Sequence, residues 1–174
     1  RLWNDSKVSY LCYNQIGLPT CTNRMLTRQH MENELQEYIS NELRKCVNVY
    51  NAGGGGFIQS YDVTAGRKFD TKVTIQDSDV LVELTYPVTL TSKDRKQKIS
   101  EKTFTAVVEK PLGELYRVAM DIVNAEARYG VFDVLTYMMS KKGRYTISPL
   151  KPYPDKLYRI KMREDNFIFQ MAIE

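Results

Sequence analysis

Catalysis relayed through histidine would have to run through one residue, because His30 is the single histidine of the chain. It stands among Arg28, Gln29 and Glu32 at the start of a helical pattern, a setting that predicts solvent exposure. No Gly-x-Ser-x-Gly elbow precedes a helix, and one histidine cannot make a His-Glu-x-x-His metal site. Acid–base chemistry by two carboxylates is the other catalytic route, and Asp77, Asp79, Asp121, Glu126, Asp133, Glu164 and Asp165 supply the residue types. However, Asp77-Ser78-Asp79 and Glu164-Asp165-Asn166 each separate two alternating runs, where Asp and Asn are turn formers. Glu126 and Asp133 read as residues of solvated faces. The Asp-Ser-Asp triplet is also too short for a calcium loop, which closes on a Glu about twelve residues from its start.

Cys12, Cys21 and Cys46 lie in the first third of the chain, and their spacing matches no zinc ribbon, zinc finger or Cys-x-x-Cys redox pair. Neither a metal nor another cofactor is expected. Under oxidising conditions Cys12 or Cys21 would staple the N-terminal segment to the following helix at Cys46 and leave one thiol over; three reduced thiols in a cytosolic protein are the alternative. The run Gly53 to Gly56 invites a phosphate-loop reading, but it follows a helix and precedes Phe57-Ile58, the reverse of a nucleotide loop, and no Lys-Ser or Lys-Thr follows. It is expected to end the helix and turn the chain into a sheet. An Asn-x-Ser triplet, Asn4-Asp5-Ser6, stands where an exposed segment is expected.

Twelve tyrosines are many for 174 residues. Tyr10, Tyr13, Tyr145, Tyr153 and Tyr158, with Trp3, fall in segments without a strong core period, and such amphipathic rings are enriched at interfaces. They are the candidate interaction residues.

The elements that would carry these residues follow from hydrophobic spacing. Residues 1–23 lack a sustained period and contain Gly17 and Pro19, so they are expected as an irregular arm on a single α+β domain over 24–174. From Thr27 to Tyr50, Met31, Leu35, Tyr38, Ile39, Leu43, Cys46, Val47 and Tyr50 recur at three- and four-residue steps, one buried face of a long helix. Phe69, Thr71, Val73 and Ile75, then Val80 to Leu90, alternate about the turn at 77–79, a hairpin with one dry face. Pro87 cannot donate to a ladder and so marks an edge or bulge. KDRKQK at 93–98 reads as a charged hairpin tip, from which 99–108 returns as a third strand. Pro111 opens a second helix that Gly130 stops, and 131–139 is ambiguous between helix and strand. RYTIS at 144–148 and a hairpin about Arg163 to Asn166 complete an antiparallel sheet packed by two main helices.

The formal charge of +4 is dispersed over 25 basic and 21 acidic residues, and no helix carries a one-sided basic stripe, so nucleic acid is not expected as a partner. A mean hydropathy of −0.43 and the lack of a long apolar run give no membrane span and a soluble chain. The start at Arg1 without an initiator Met suits a processed or excised piece whose signal peptide or anchor lay upstream.

LQEYISNELRKCVNVY, KVTIQDSDVLVELTYPVTLTS, FTAVVEKPLGELYRVAMDIVNAE and NFIFQMAIE resemble the corresponding stretches of a group of archaeal proteins found especially in small-genome symbiotic lineages. Members of that group look like single-pass, membrane-anchored proteins with an extracytoplasmic domain. The resemblance spans roughly residues 30 to 173, and it implies a cell-surface location and a membrane link only through an anchor outside this chain. It brings no catalytic motif. The expectation is therefore a non-enzymatic, extracytoplasmic structural or interaction subunit that binds a protein partner or copies of itself through its N-terminal arm, in a filament or sheath. A monomeric glycan- or peptide-binding module and an envelope hydrolase with an acidic pair are the alternatives.

Overall fold

The computed structural model describes residues 2–3, 6–47, 61–94, 96–150 and 155–174, with side chains from Val8 onward. The glycine run, Tyr50, Tyr153, part of the Asn-x-Ser triplet and the side chain of Trp3 lie outside the described residues. The fold is mixed α+β with antiparallel pairing throughout its sheets except for one strand pair. Its residues form two compact units, one of Arg1–Thr27, Gln76–Asp79 and Glu109–Glu174, the other of Arg28–Ile75 and Val80–Val108.

In the first unit, β1 (Leu2–Trp3) and β2 (Ser6–Lys7) make a small ladder. β3 (Ser9–Tyr13), β4 (Thr22–Asn23), β9 (Tyr145–Leu150), β10 (Lys156–Met162) and β11 (Ile168–Ile173) form a five-stranded sheet in the order β4-β3-β11-β10-β9. The expected C-terminal hairpin is present as β10–β11. The N-terminal segment, expected as an irregular arm, instead supplies β3, which pairs parallel to β11. Its apolar residues explain the difference. Leu11 and Cys12 enter the core, and a strand at an open sheet edge satisfies their backbone groups where an irregular wrap would not.

One face of that sheet is closed by α2 (Leu112–Tyr129), whose Leu115, Val118, Ala119, Ile122 and Val123 meet Leu11, Tyr145, Ile147, Tyr158, Ile160, Met171 and Ile173. Each fully buried aliphatic side chain here contributes roughly 1.5–3 kcal/mol. Gly130 stops the helix in the left-handed conformation (φ 71°) and its N–H returns to the Glu126 carbonyl at 2.9 Å. The ambiguous stretch after it is resolved as α3 (Val134–Ser140), because Asp133 caps it, accepting from the Thr136 amide at 3.0 Å and hydroxyl at 2.7 Å. Those bonds, the hydroxyl's foremost, hold the Asp133 carboxyl below the usual range.

The start of α2 has no side-chain cap. Its first amides are instead taken by backbone carbonyls: Leu112 donates to Lys110, Gly113 to Gln76 and Glu114 to Asp77. This docking requires glycine at 113, since a Cβ there would lie 2.3 Å from the Gln76 carbonyl oxygen.

In the second unit, β7 (Val80–Ser92) is the central strand of an antiparallel sheet. β6 (Asp70–Ile75) and β5 (Tyr61–Ala65) pair with its two halves in turn, and β8 (Lys98–Val108) pairs along it. Pro87 falls at the expected bulge: Thr85 faces Thr103 while Val88 faces Glu101, so β7 carries one extra residue. The dry face predicted from alternation is Thr71, Val73, Ile75, Val80, Val82, Leu84 and Tyr86. α1 (Arg28–Cys46) packs along β6, with Met31, Leu35, Ile39 and Leu43 half-buried and Tyr38 and Cys46 exposed, so its apolar face is narrower and wetter than the spacing suggested.

Replacing Gly113 by Ala forces the helix start away from the Gln76–Asp77 turn. We expect a loss of about 2 kcal/mol, the usual scale of overpacking against fixed backbone, read from the urea unfolding midpoint. An unchanged midpoint would show that this docking does not constrain the helix.

Candidate interaction edge

Two edges of the second unit's sheet are treated in opposite ways. β6 is guarded by α1: Glu32 Oε1 accepts from the Ile75 amide at 2.8 Å, while Arg44 donates to the Phe69 carbonyl at 3.3 Å and stacks 4.7 Å from the Phe69 ring centre. Helix side chains thus occupy backbone groups that an edge strand would otherwise offer to another chain. β8 has no such cover. All eleven of its residues are exposed, and β7 is its one strand partner among the described residues.

β8 also carries apolar side chains on both faces. Phe104 and Val108 share the face of Leu84 and Val80, which they oppose in register, and Ile99 and Val107 lie on the other face. Ile99 is 55% and Val107 57% exposed. A strand with unpaired backbone and such side chains can accept another strand, the backbone supplying affinity and the side chains selectivity. At its start, where the charged tip is expected, the Ser92 amide donates to the Gln97 carbonyl and Asp94 accepts from the Ser92 hydroxyl and the Lys96 amide; Arg95 lies outside the described residues.

The aromatic residues singled out by sequence are distributed differently. Tyr13 is exposed, at 43%. Tyr10 is half-buried within β3, and its hydroxyl donates to Asp155 Oδ2 at 2.5 Å. Tyr145 and Tyr158 are core residues rather than interface residues, because each hydroxyl is claimed by a buried glutamate of α2. Tyr158 donates to Glu126 Oε1 at 2.5 Å, with Lys156 Nζ on Oε2 at 2.6 Å. Tyr145 donates to Glu114 Oε1, with Arg144 on Oε2 at 2.8 Å. Burial first, and then the bond to Glu114, pushes the Tyr145 phenol up to about 12, and burial with the Glu126 bond raises that of Tyr158. Tyr137, bonded to Asp121 at 2.8 Å, is raised for the same reasons.

Asp77 and Asp165 of the candidate carboxylates also have structural partners. Asp77 pairs with Arg117 at 2.9 Å and Asp165 with Lys110 at 3.2 Å, while the Asp165 carboxyl is held low chiefly by the Phe167 amide. His30 is exposed as expected and lies 3.1 Å from Glu34. Among the described residues no cluster of His, Cys, Asp and Glu has the makings of a metal site.

The disulfide expectation needs correction. Cys12 pairs with Cys21, with Cα atoms 5.4 Å apart, and Cys46 is a free, exposed thiol. The partners are brought together by the β3–β4 ladder, in which Cys12 faces Asn23, so the bond staples the N-terminal segment to itself and not to the helix. A disulfide closing so short a loop stabilises by about 3 kcal/mol and is consistent with an oxidising setting. No helix of the described residues is long and apolar enough to cross a membrane. Comparison of the chain with protein-family models, curated proteins and solved structures finds no match.

The raised phenols make stability sensitive to alkali. A tyrosine that is harder to ionise when folded stabilises fully below its unfolded value near 10, and that contribution is lost as pH rises from there towards the folded value. The denaturation midpoint of the first unit is therefore expected to hold to about pH 9 and to fall by about pH 11.5. Tyr145→Phe should show a smaller alkaline loss than the parent chain. An equal loss in both would mean that Tyr145 ionises alike in the folded and unfolded states.

Proposed function

We propose that this protein is a non-enzymatic, extracytoplasmic surface subunit whose copies join by antiparallel pairing of β8 with β8. The observation that carries the reading is the eleven-residue edge strand, exposed along its whole length, in a sheet whose β6 edge is guarded by Glu32 and Arg44. The Cys12–Cys21 bond supports the oxidising location.

The strand is suited to meet its own copy. A twofold axis through Thr103 overlaps all of 98–108, sets Ile99 against Val107 twice and Thr103 against Thr103, and opposes no like charges. Moving the axis to Lys102 would face two lysines, and moving it to Phe104 would set Glu101 against Val107. Opposite apolar and Thr–Thr pairs each contribute roughly 0.2–1 kcal/mol, and like charges oppose pairing. The charged residues of β8 therefore narrow the choice of register, in keeping with their use elsewhere against indiscriminate edge pairing. An isologous pair of this kind closes into a dimer, so growth into a filament or sheath would require a second surface.

This register generates a charge-swap test. Ile99→Lys combined with Val107→Lys should leave a folded monomer, because four lysines meet across the axis. Ile99→Lys combined with Val107→Glu should restore the dimer, because each lysine then faces a glutamate. Light scattering across a concentration range reads both outcomes. A parent chain that stays monomeric at every concentration would overturn the proposal in favour of a monomeric glycan- or peptide-binding module.

A further inference from the structure

In the first unit, the turn after α3 and the turn after β10 enclose a cleft of about 540 Å³ lined by Lys141, Lys142, Gly143, Arg144, Met162, Arg163 and Glu164. Four cations and one carboxylate thus face one concavity. We propose that this cleft binds a ligand carrying two or more phosphate or sulfate groups.

The cations are drawn together by the fold. Arg144 and Arg163 are joined through the backbone, the Arg163 amide donating to the Arg144 carbonyl at 3.0 Å where β9 begins and β10 ends. The Arg144 guanidinium is steadied by Glu114, which is only 6% exposed, and Lys141 Nζ lies 5.3 Å from the centre of the Tyr137 ring. Lys142 and Arg163 have no ion-pair partner among the described residues. Cations gathered in a cleft with low-dielectric walls raise a positive potential there, and guanidinium forks match the oxygens of phosphate and sulfate.

The backbone adds a second reason. Lys142 is the one non-glycine among the described residues with positive φ, at 52°, a conformation disfavoured for lysine and easy for Asn or Gly. The turn holds its lysine in the cleft against that preference, the pattern of strain kept where a side chain has a task. Gly143, also left-handed at φ 67°, continues the turn beside the Arg163 guanidinium, which lies 3.7 Å from where a Cβ would stand. Glu164 offers an acceptor for a hydroxyl group. A phosphorylated or sulfated sugar would use the four cations and Glu164, and a free polyphosphate the cations alone.

The test titrates inorganic tripolyphosphate and fructose 1,6-bisphosphate, which keeps free hydroxyls beside its two phosphates, into the full chain by calorimetry, at an ionic strength of about 0.15 M. We expect saturable binding of at least one, weakened about tenfold or more by Arg163→Gln and by Lys142→Asn, the scale of one charged hydrogen bond. The tighter of the two probes tells whether the groups are sugar-borne or on a free chain. Lys142→Asn should keep or raise the thermal midpoint, since Asn tolerates the turn, so its loss of binding cannot be assigned to unfolding. Absence of saturable binding, or affinities unchanged in both variants, overturns the assignment. The result does not depend on pairing through β8, because none of these residues belongs to that strand.

Discussion

The first unit is organised around two buried carboxylates. Glu126 is 2% exposed and Glu114 6%. An ion removed from water loses several kcal/mol of solvation unless charge and hydrogen bonds replace it. Each glutamate of α2 therefore demands a donor pair from the sheet, and each receives a tyrosine hydroxyl with a cation: Tyr158 with Lys156, and Tyr145 with Arg144. This demand selects one register. A slip of β10 by one residue would turn Tyr158 to the opposite face and leave Glu126 a charge without donors. Apolar packing alone would tolerate such a slip better, since Leu157, Tyr158 and Ile160 are all buried and both faces of the strand are apolar nearby.

The same constraint shapes what the unit shows to solvent. Glu114 holds Arg144 at the start of β9, where the Arg144 carbonyl accepts from the Arg163 amide, so two stretches of chain separated by almost twenty residues contribute to one basic cleft. The helix that bears Glu114 is in turn seated by main-chain bonds to Gln76 and Asp77, a contact open only to glycine at 113. A residue without a side chain thus sets the height at which a buried acid meets its partners.

Much of this fold is legible in the sequence because it rests on short-range periodicity. The hairpin at 70–90, the bulge at Pro87, the stop at Gly130 and the terminal hairpin each declare themselves within about ten residues. What escapes is what depends on distant pairing. The N-terminal segment looked irregular because a five-residue strand with two buried positions is too short to establish a period; only β11, at the far end of the chain, makes it a strand. The disulfide escapes for another reason: Cys12 and Cys21 are only 9 residues apart, but the two-residue β4 of the ladder that joins them is too short to show a period. Tyr145 and Tyr158 look like interaction residues because their segments lack a strong core period, and Glu126 looks solvated because nothing near it in sequence claims it; the long-range bonds of these phenols to Glu114 and Glu126 make them core residues.

The open edge is partly legible in the sequence. In the strand 98–108 apolar residues stand at both odd and even positions, Ile99 and Val107 against Phe104 and Val108, so the alternation that marks a half-buried strand fails there. A strand apolar on both faces is ordinarily the centre of a covered sheet. Here charged residues, Lys98, Glu101 and Lys102, interrupt the run, which argues against a buried centre and for an edge. The two signals conflict only for an isolated chain. For a strand whose outer neighbour is another copy of itself they agree: apolar side chains fill the ladder, and the interrupting charges forbid every register in which like meets like.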